Sequence, residues 1–172
     1  MNFRRFLHPD SIRLDLHTRG VPPGGFEDGD EPDSPRNIKR VRRELFGELG
    51  ELLDLGGNVT NLRRLARDLL DREQMTCTAL GQGLAIPHAR TLQVRSFSMA
   101  FGRSDDGLPF EAPGGQPVHL FFAMAAPPHD DRTYLRVYRS LATALLEPET
   151  IDALRKLDEP GEVLRVLRQF GG

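Results

Sequence analysis

The chain has 172 residues, 38% of them hydrophobic and 28% charged, with a formal net charge of -2. That size suits one domain of roughly 100–200 residues, whose core needs no metal or disulfide staple. The composition excludes collagen, coiled-coil rods and wholly disordered chains, and the small net charge predicts no nucleic-acid partner and no broad attraction to anionic lipid.

From the N-terminus, Ile12, Leu14 and Leu16 alternate with Arg13 and Asp15, the pattern of a short strand with one buried face. Met1 to Leu16 lacks the continuous apolar stretch of a signal peptide, and no run approaches the length of a membrane span, so a cytoplasmic location without direct membrane insertion is expected. Thr18 to Pro35 concentrates glycine, proline and acidic residues and is predicted to be a mobile surface loop, inserted at about 18–35 of a single domain covering 1–172. Ser34-Pro35 then reads as an N-cap followed by proline at the first helical position. The helix it opens carries Ile38, Val41, Leu45, Leu49, Leu52 and Leu53 at helical spacing and stops at Gly56-Gly57. A second helix, capped by Asn58 or Thr60, places Leu62, Leu65, Leu69 and Leu70 toward the core and ends near Arg72.

β signals follow. Met75 to Leu80 is a predicted strand, Gly81-Gln82-Gly83 a turn, and Leu84 to Ile86 a short strand stopped by Pro87. Phe97 to Phe101 and the apolar run Val118 to Ala125 are predicted strands, with Gly102 to Pro117 a loop between them. After Pro127-Pro128 a helical pattern returns at Tyr134, Leu135, Tyr138, Leu141 and Leu145, and Pro148 and Pro160 each open a shorter helix. Strands framed by helices at both ends define an α/β architecture.

Candidate chemistry centres on histidine. His8, His17, His119 and His129 read as structural or surface residues, and no pair stands at a zinc-binding spacing, so no metal and no cofactor are expected. The only cysteine, Cys77, lies in a predicted strand as a small core residue rather than a nucleophile. His88 differs in its setting. Pro87 fixes its own φ and holds Ile86 extended, so the strand ends where His88 emerges. Backbone N–H groups around the nearby glycines can form an anion nest, and Arg72 and Arg90 are close enough in sequence to add fixed positive charge. A neutral imidazole held in one tautomer beside such a nest suits phosphoryl transfer, although a Gly-rich turn ending in Pro-His also serves as an ordinary turn.

The stretch from Arg72 to His88, with Gly-Leu-Ala-Ile-Pro-His at its end, resembles the phosphorylation-site segment of EIIA domains of the phosphoenolpyruvate-dependent phosphotransferase system, of the fructose/mannitol type and its nitrogen-regulatory branch. Gly107-Leu108-Pro109-Phe110-Glu111-Ala112 and Pro117 to Ala123 are similar to the family's following turn and central strand. The resemblance implies a single domain with a mixed β-sheet flanked by helices on both sides. It implies that His88 is phosphorylated by an HPr-type phosphocarrier, that Arg72 steadies the phosphate, and that Thr78, Gly81, Gly83 and Pro87 lie around it. Family members with full activity carry a second histidine in the helix after the central strand, and here Tyr134 stands at that position. A regulatory phosphocarrier acting on target proteins is therefore expected. A sugar-specific EIIA that passes phosphate to a IIB domain, and an EIIA-like binding module that is never phosphorylated, are the alternatives.

Overall fold

The computed structural model describes residues 1–170. Its elements are β1 (Leu7–Arg13), α1 (Pro35–Asp54), α2 (Leu62–Met75), β2 (Ala79–Gly81), β3 (Leu84–Ala85), β4 (His88–Arg90), β5 (Ser98–Leu108), β6 (Val118–Ala126), α3 (Asp131–Leu146), α4 (Pro148–Arg155) and α5 (Pro160–Phe170). The strands form one open mixed sheet in the order β1-β5-β6-β3-β2, and β4 also pairs with β6. β5 and β6 are antiparallel, while β3 and β4 follow one another along the far side of β6, both parallel to it.

Alternation along β6 separates two apolar layers. Leu120, Phe122, Met124 and Ala126 pack with Val137, Leu141, Leu154 and Leu167 of α3, α4 and α5. Phe121, Ala123 and Ala125 pack with Val41, Leu45, Leu49, Leu65 and Leu69 of α1 and α2. The sheet is thus flanked by helices on both sides, as the resemblance implied. Each fully buried leucine in these layers contributes about 1.5–3 kcal/mol relative to exposure. No helix among the described residues is long and apolar enough to cross a membrane.

Ser34 caps α1 as expected, its hydroxyl accepting from the Asn37 amide at 3.2 Å. α2 is capped instead by Asn61, whose side-chain Oδ1 accepts from Arg64 N–H at 3.0 Å, and it runs on to Met75, displacing the expected start of a strand there. β1 begins earlier than the alternation predicted, at Leu7, and contains Pro9. It is an edge strand paired only with β5, and its register shifts between Leu7 and Ile12, which accommodates the missing N–H. β5 extends through Arg103 to Leu108, where a loop was expected.

The segment between β1 and α1 has no regular structure but is tied to α1 by polar bonds. The buried Glu48 carboxylate accepts from Arg13 Nη1 and the His17 amide at 2.7 Å, and from the Thr18 amide and hydroxyl at 2.8 and 2.7 Å. The buried Asn37 side chain donates to Gly20 O and Pro32 O, both at 2.8 Å. Composition, which registers only apolar burial, did not reveal these anchors.

Candidate functional site

Pro87 supplies no N–H and interrupts the ladder between β3 and β4. Its carbonyl accepts from Met124 N–H at 2.9 Å, so pairing resumes at once, with His88 opposite Met124 and Arg90 opposite Ala126. Ala89 packs into the α1/α2 layer, which turns His88 and Arg90 to the α3 side. Among the described residues no strand pairs with the outer side of β4. His88 therefore lies past the end of β3, as the first residue of a further short strand at an open edge.

The Nδ1 atom of His88 lies 2.7 Å from Ile86 O. A carbonyl only accepts, so Nδ1 carries the proton and Nε2 keeps its lone pair. Asp130 caps α3, accepting from Thr133 N–H at 3.3 Å, and the helix then brings Asp131, Tyr134 and Tyr138 to the same face. The Tyr134 and Tyr138 rings lie 5.9 and 5.8 Å from the imidazole, centroid to centroid. Arg90 Nη1 meets Asp131 Oδ1 at 2.7 Å, and its guanidinium carbon sits 4.9 Å from the Tyr134 centroid.

On the other flank, the last turn of α2 supplies Arg72, which donates to Thr76 O at 3.1 Å. Burial lowers the His88 pKa below 6.5; the Ile86 bond opposes this, and the charges of Arg72 and Arg90 add to the lowering. The imidazole is neutral at pH 7. Burial, aided by Tyr138, raises the Tyr134 pKa, so Tyr134 is a neutral phenol with one proton available for a hydrogen bond.

The structure brings Arg72 and Tyr134 to His88, keeps Pro87 beside it in the chain and Thr78 one hydrogen bond away, Thr78 O accepting from Ile86 N–H at 3.1 Å, and sets the glycine turn apart. Thr78 donates its hydroxyl proton to the buried Glu73 carboxylate at 2.6 Å, and its amide donates there at 2.8 Å. The Gly81-Gln82-Gly83 turn is real, with positive φ at all three residues. Gly83 O accepts from the His119 and Leu120 amides, whereas His88 is opposite Met124. Between those levels β6 rises by about 16 Å at 3.2–3.4 Å per residue, so the glycine turn is no nest for His88. Pro87 shapes the chain and has no N–H to offer. Tyr138, read from sequence only as a core position, is a wall of the site; its signal was its spacing one helical turn after Tyr134.

The remaining candidates lie apart. His119 Nδ1 is 3.0 Å from Ser104 O, within the sheet, and His129 is exposed on the turn before α3. Cys77 lies between α2 and β2, half-buried, with burial raising its thiol pKa. Among the described residues no group of three or more His, Cys, Asp or Glu could hold a metal ion.

Fold and site define an α/β domain that displays one neutral imidazole, flanked by two arginines and two phenol rings, at the open edge of a mixed sheet. Residues 37–170 match the family described as the phosphoenolpyruvate-dependent sugar phosphotransferase system, EIIA 2. Over 134 residues the chain is 33% identical to the fructose-specific EIIABC component of the phosphotransferase system of Bacillus subtilis, covering 77% of this chain and 21% of that protein. The chain thus spans about a fifth of that relative's length. The nitrogen regulatory protein IIA-Ntr of Neisseria meningitidis superposes with a TM-score of 0.78 at 27% identity, over 97% of this chain and 99% of that one. The mannitol enzyme IIA of Escherichia coli, solved in complex with phosphorylated enzyme IIB, shares the fold with a TM-score of 0.68 at 23% identity, over 93% and 95%. The chain belongs to the EIIA family of the phosphoenolpyruvate-dependent sugar phosphotransferase system.

Proposed function

We propose that the chain is a cytoplasmic phosphohistidine carrier that accepts a phosphoryl group on Nε2 of His88 from an HPr-type protein and uses its phosphorylation state to regulate target proteins. The observation that carries this reading is the 2.7 Å contact of His88 Nδ1 with Ile86 O, which leaves Nε2 as the nucleophile. Its lone pair forms the new N–P bond while the P–N bond to the donor's protonated phosphoimidazole breaks, and the donor nitrogen keeps the electron pair. The donor leaves as neutral imidazole, and the positive charge appears on the His88 ring, where Ile86 O stabilises it through the Nδ1 proton. Arg72 balances the phosphoryl oxygens, Tyr134 donates one bond, and positioning with charge stabilisation supplies the catalysis.

The regulatory assignment is supported by two features. Likeness to IIA-Ntr extends over nearly the whole of both chains. Tyr134 also offers the phosphoryl group no second imidazole, which disfavours rapid onward transfer to a IIB domain. Exposed Met75 and Leu135 stand on α2 and α3, which bear the site, exposed Leu92 lies in the turn after β4, and all three suit a protein partner. The phosphoryl group adds about 1.5–2 negative charges at this surface, enough to reverse a contact.

The test is incubation with phosphoenolpyruvate, enzyme I and an HPr-type protein, followed by intact-mass measurement. One acid-labile, alkali-stable phosphoryl adduct is expected on the native chain and none on His88→Ala. An unmodified native chain would leave the binding-module reading; an adduct that persists in His88→Ala would move the site elsewhere.

A further inference from the structure

We propose that Arg90 exchanges partners when His88 is phosphorylated, leaving Asp131 for the phosphoryl group, so that the ion pair at the start of α3 is a switch read by the state of the imidazole. The inference rests on the phosphohistidine reading above and concerns residues that lie outside the phosphorylation-site motif.

His88 and Arg90 are two positions apart on β4 and face the same side, which separates their Cβ atoms by about 6.5–7 Å. A guanidinium on its long stem spans that distance. Arg90 is nevertheless turned toward α3, paired with Asp131 at 2.7 Å and laid over the Tyr134 ring, which is itself in contact with the His88 imidazole.

The pair is built to be exchanged. The Arg90 and Asp131 side chains are 44% and 59% exposed, so water screens their attraction. A phosphoryl group on Nε2 carries about twice the charge of one carboxylate and offers three acceptor oxygens, which suit the arginine fork. Arg72 stands on the other flank, in the last turn of α2, donating to Thr76 O just beyond the helix. Arg90 therefore completes the phosphate's coordination from the opposite flank. Its departure leaves Asp131 as an unpaired carboxylate in the first turn of α3, beside exposed Leu135. A partner touching that rim then meets a new negative charge at Asp131 as well as the one at the phosphoryl group.

The experiment phosphorylates the full chain chemically with phosphoramidate, which needs no donor protein, and follows the phosphoryl group by 31P NMR as pH is varied. Arg90→Gln is expected to raise the phosphoryl pKa by about half a unit or more, because a cation that favours the dianion is lost. Asp131→Asn is expected to lower it, and to lose most of that effect in an Arg90→Gln background, because Asp131 acts through the arginine. An unchanged titration in phosphorylated Arg90→Gln overturns the exchange, as does an Asp131→Asn shift that keeps its full size in the double variant. A native chain that takes no phosphoryl group at His88 overturns the phosphohistidine reading and the switch together. Circular dichroism of each variant separates these results from loss of fold.

Discussion

Tyr138 presents its ring edge-on to the His88 imidazole, with centroids 5.8 Å apart and planes inclined at 72°. Its ring is also 6.1 Å from that of Tyr134, so two phenol rings shield one side of the imidazole. Such contacts add about 0.5–1.5 kcal/mol each beyond the area they bury. Tyr138→Ala is expected to cost about 2 kcal/mol of stability and to admit water to the imidazole. The Hε1 resonance of His88 should then titrate closer to the ordinary value than in the native chain. An unmoved midpoint would show that Tyr138 does not desolvate the ring.

The native imidazole itself should titrate below 6.5, chiefly through burial, with Arg72 and Arg90 adding to the effect. At pH 6 more of it than of an ordinary imidazole is then in the nucleophilic form, so phosphorylation should decline less between pH 7 and about pH 6 than an unshifted histidine would allow. The unfolded chain binds this proton more readily than the folded one. Stability is therefore lost as pH falls below 6.5, until the folded midpoint is passed. Urea unfolding of native and His88→Gln proteins checks the sign, since the variant should lack this component of the slope.

Tyr134→His restores an imidazole at a position 5.9 Å from the His88 ring, centroid to centroid. Faster transfer from the phosphorylated chain to a fructose-type IIB domain is expected, measured by loss of label from His88. Native transfer that is already fast, and unchanged by the substitution, would favour the sugar-delivering alternative.

Glu48→Gln tests the anchor between α1 and the segment after β1. Burial opposes ionisation of Glu48, but the His17 amide, Arg13 and Thr18 outweigh it and hold the carboxyl below 4.5. The substitution should cost about 2 kcal/mol near neutral pH, because charge-assisted bonds are lost while their donors remain. The penalty should shrink as pH falls below 4.5 and through the folded pKa, where the native side chain also becomes neutral. A penalty independent of pH would assign the loss to packing alone.

Helix starts were legible where a cap or an N-terminal proline marked them, as at Ser34-Pro35 and Pro148, because those signals act within one turn. The length of β5 was hidden because its second half looks like a turn. Arg103 is tolerated there by distant partners, its Nη1 donating to Leu157 O at 2.6 Å and to Leu154 O at 3.3 Å, while its Nε lies 2.9 Å from Asp105 Oδ1 two residues along the same strand. Such long-range bonds leave no periodic trace. Within the site, Arg72, His88 and Tyr134 were found through a motif, whereas the distance of Gly83 from His88 depends on the register of β3 and β4 on β6. Sequence proximity suggested a cradle that strand geometry pulled apart.

Asn37 grips the chain at Gly20 and at Pro32, closing the intervening stretch like a clasp. Gly20 also lies against Pro109, beyond the end of β5 where Leu108 is opposite Val118, whereas His88 is opposite Met124. Fluorophores or affinity tags grafted between the two gripped carbonyls would therefore ride on a closed bight, remote from the imidazole. Labelled protein made this way should report binding of a partner without obstructing its approach.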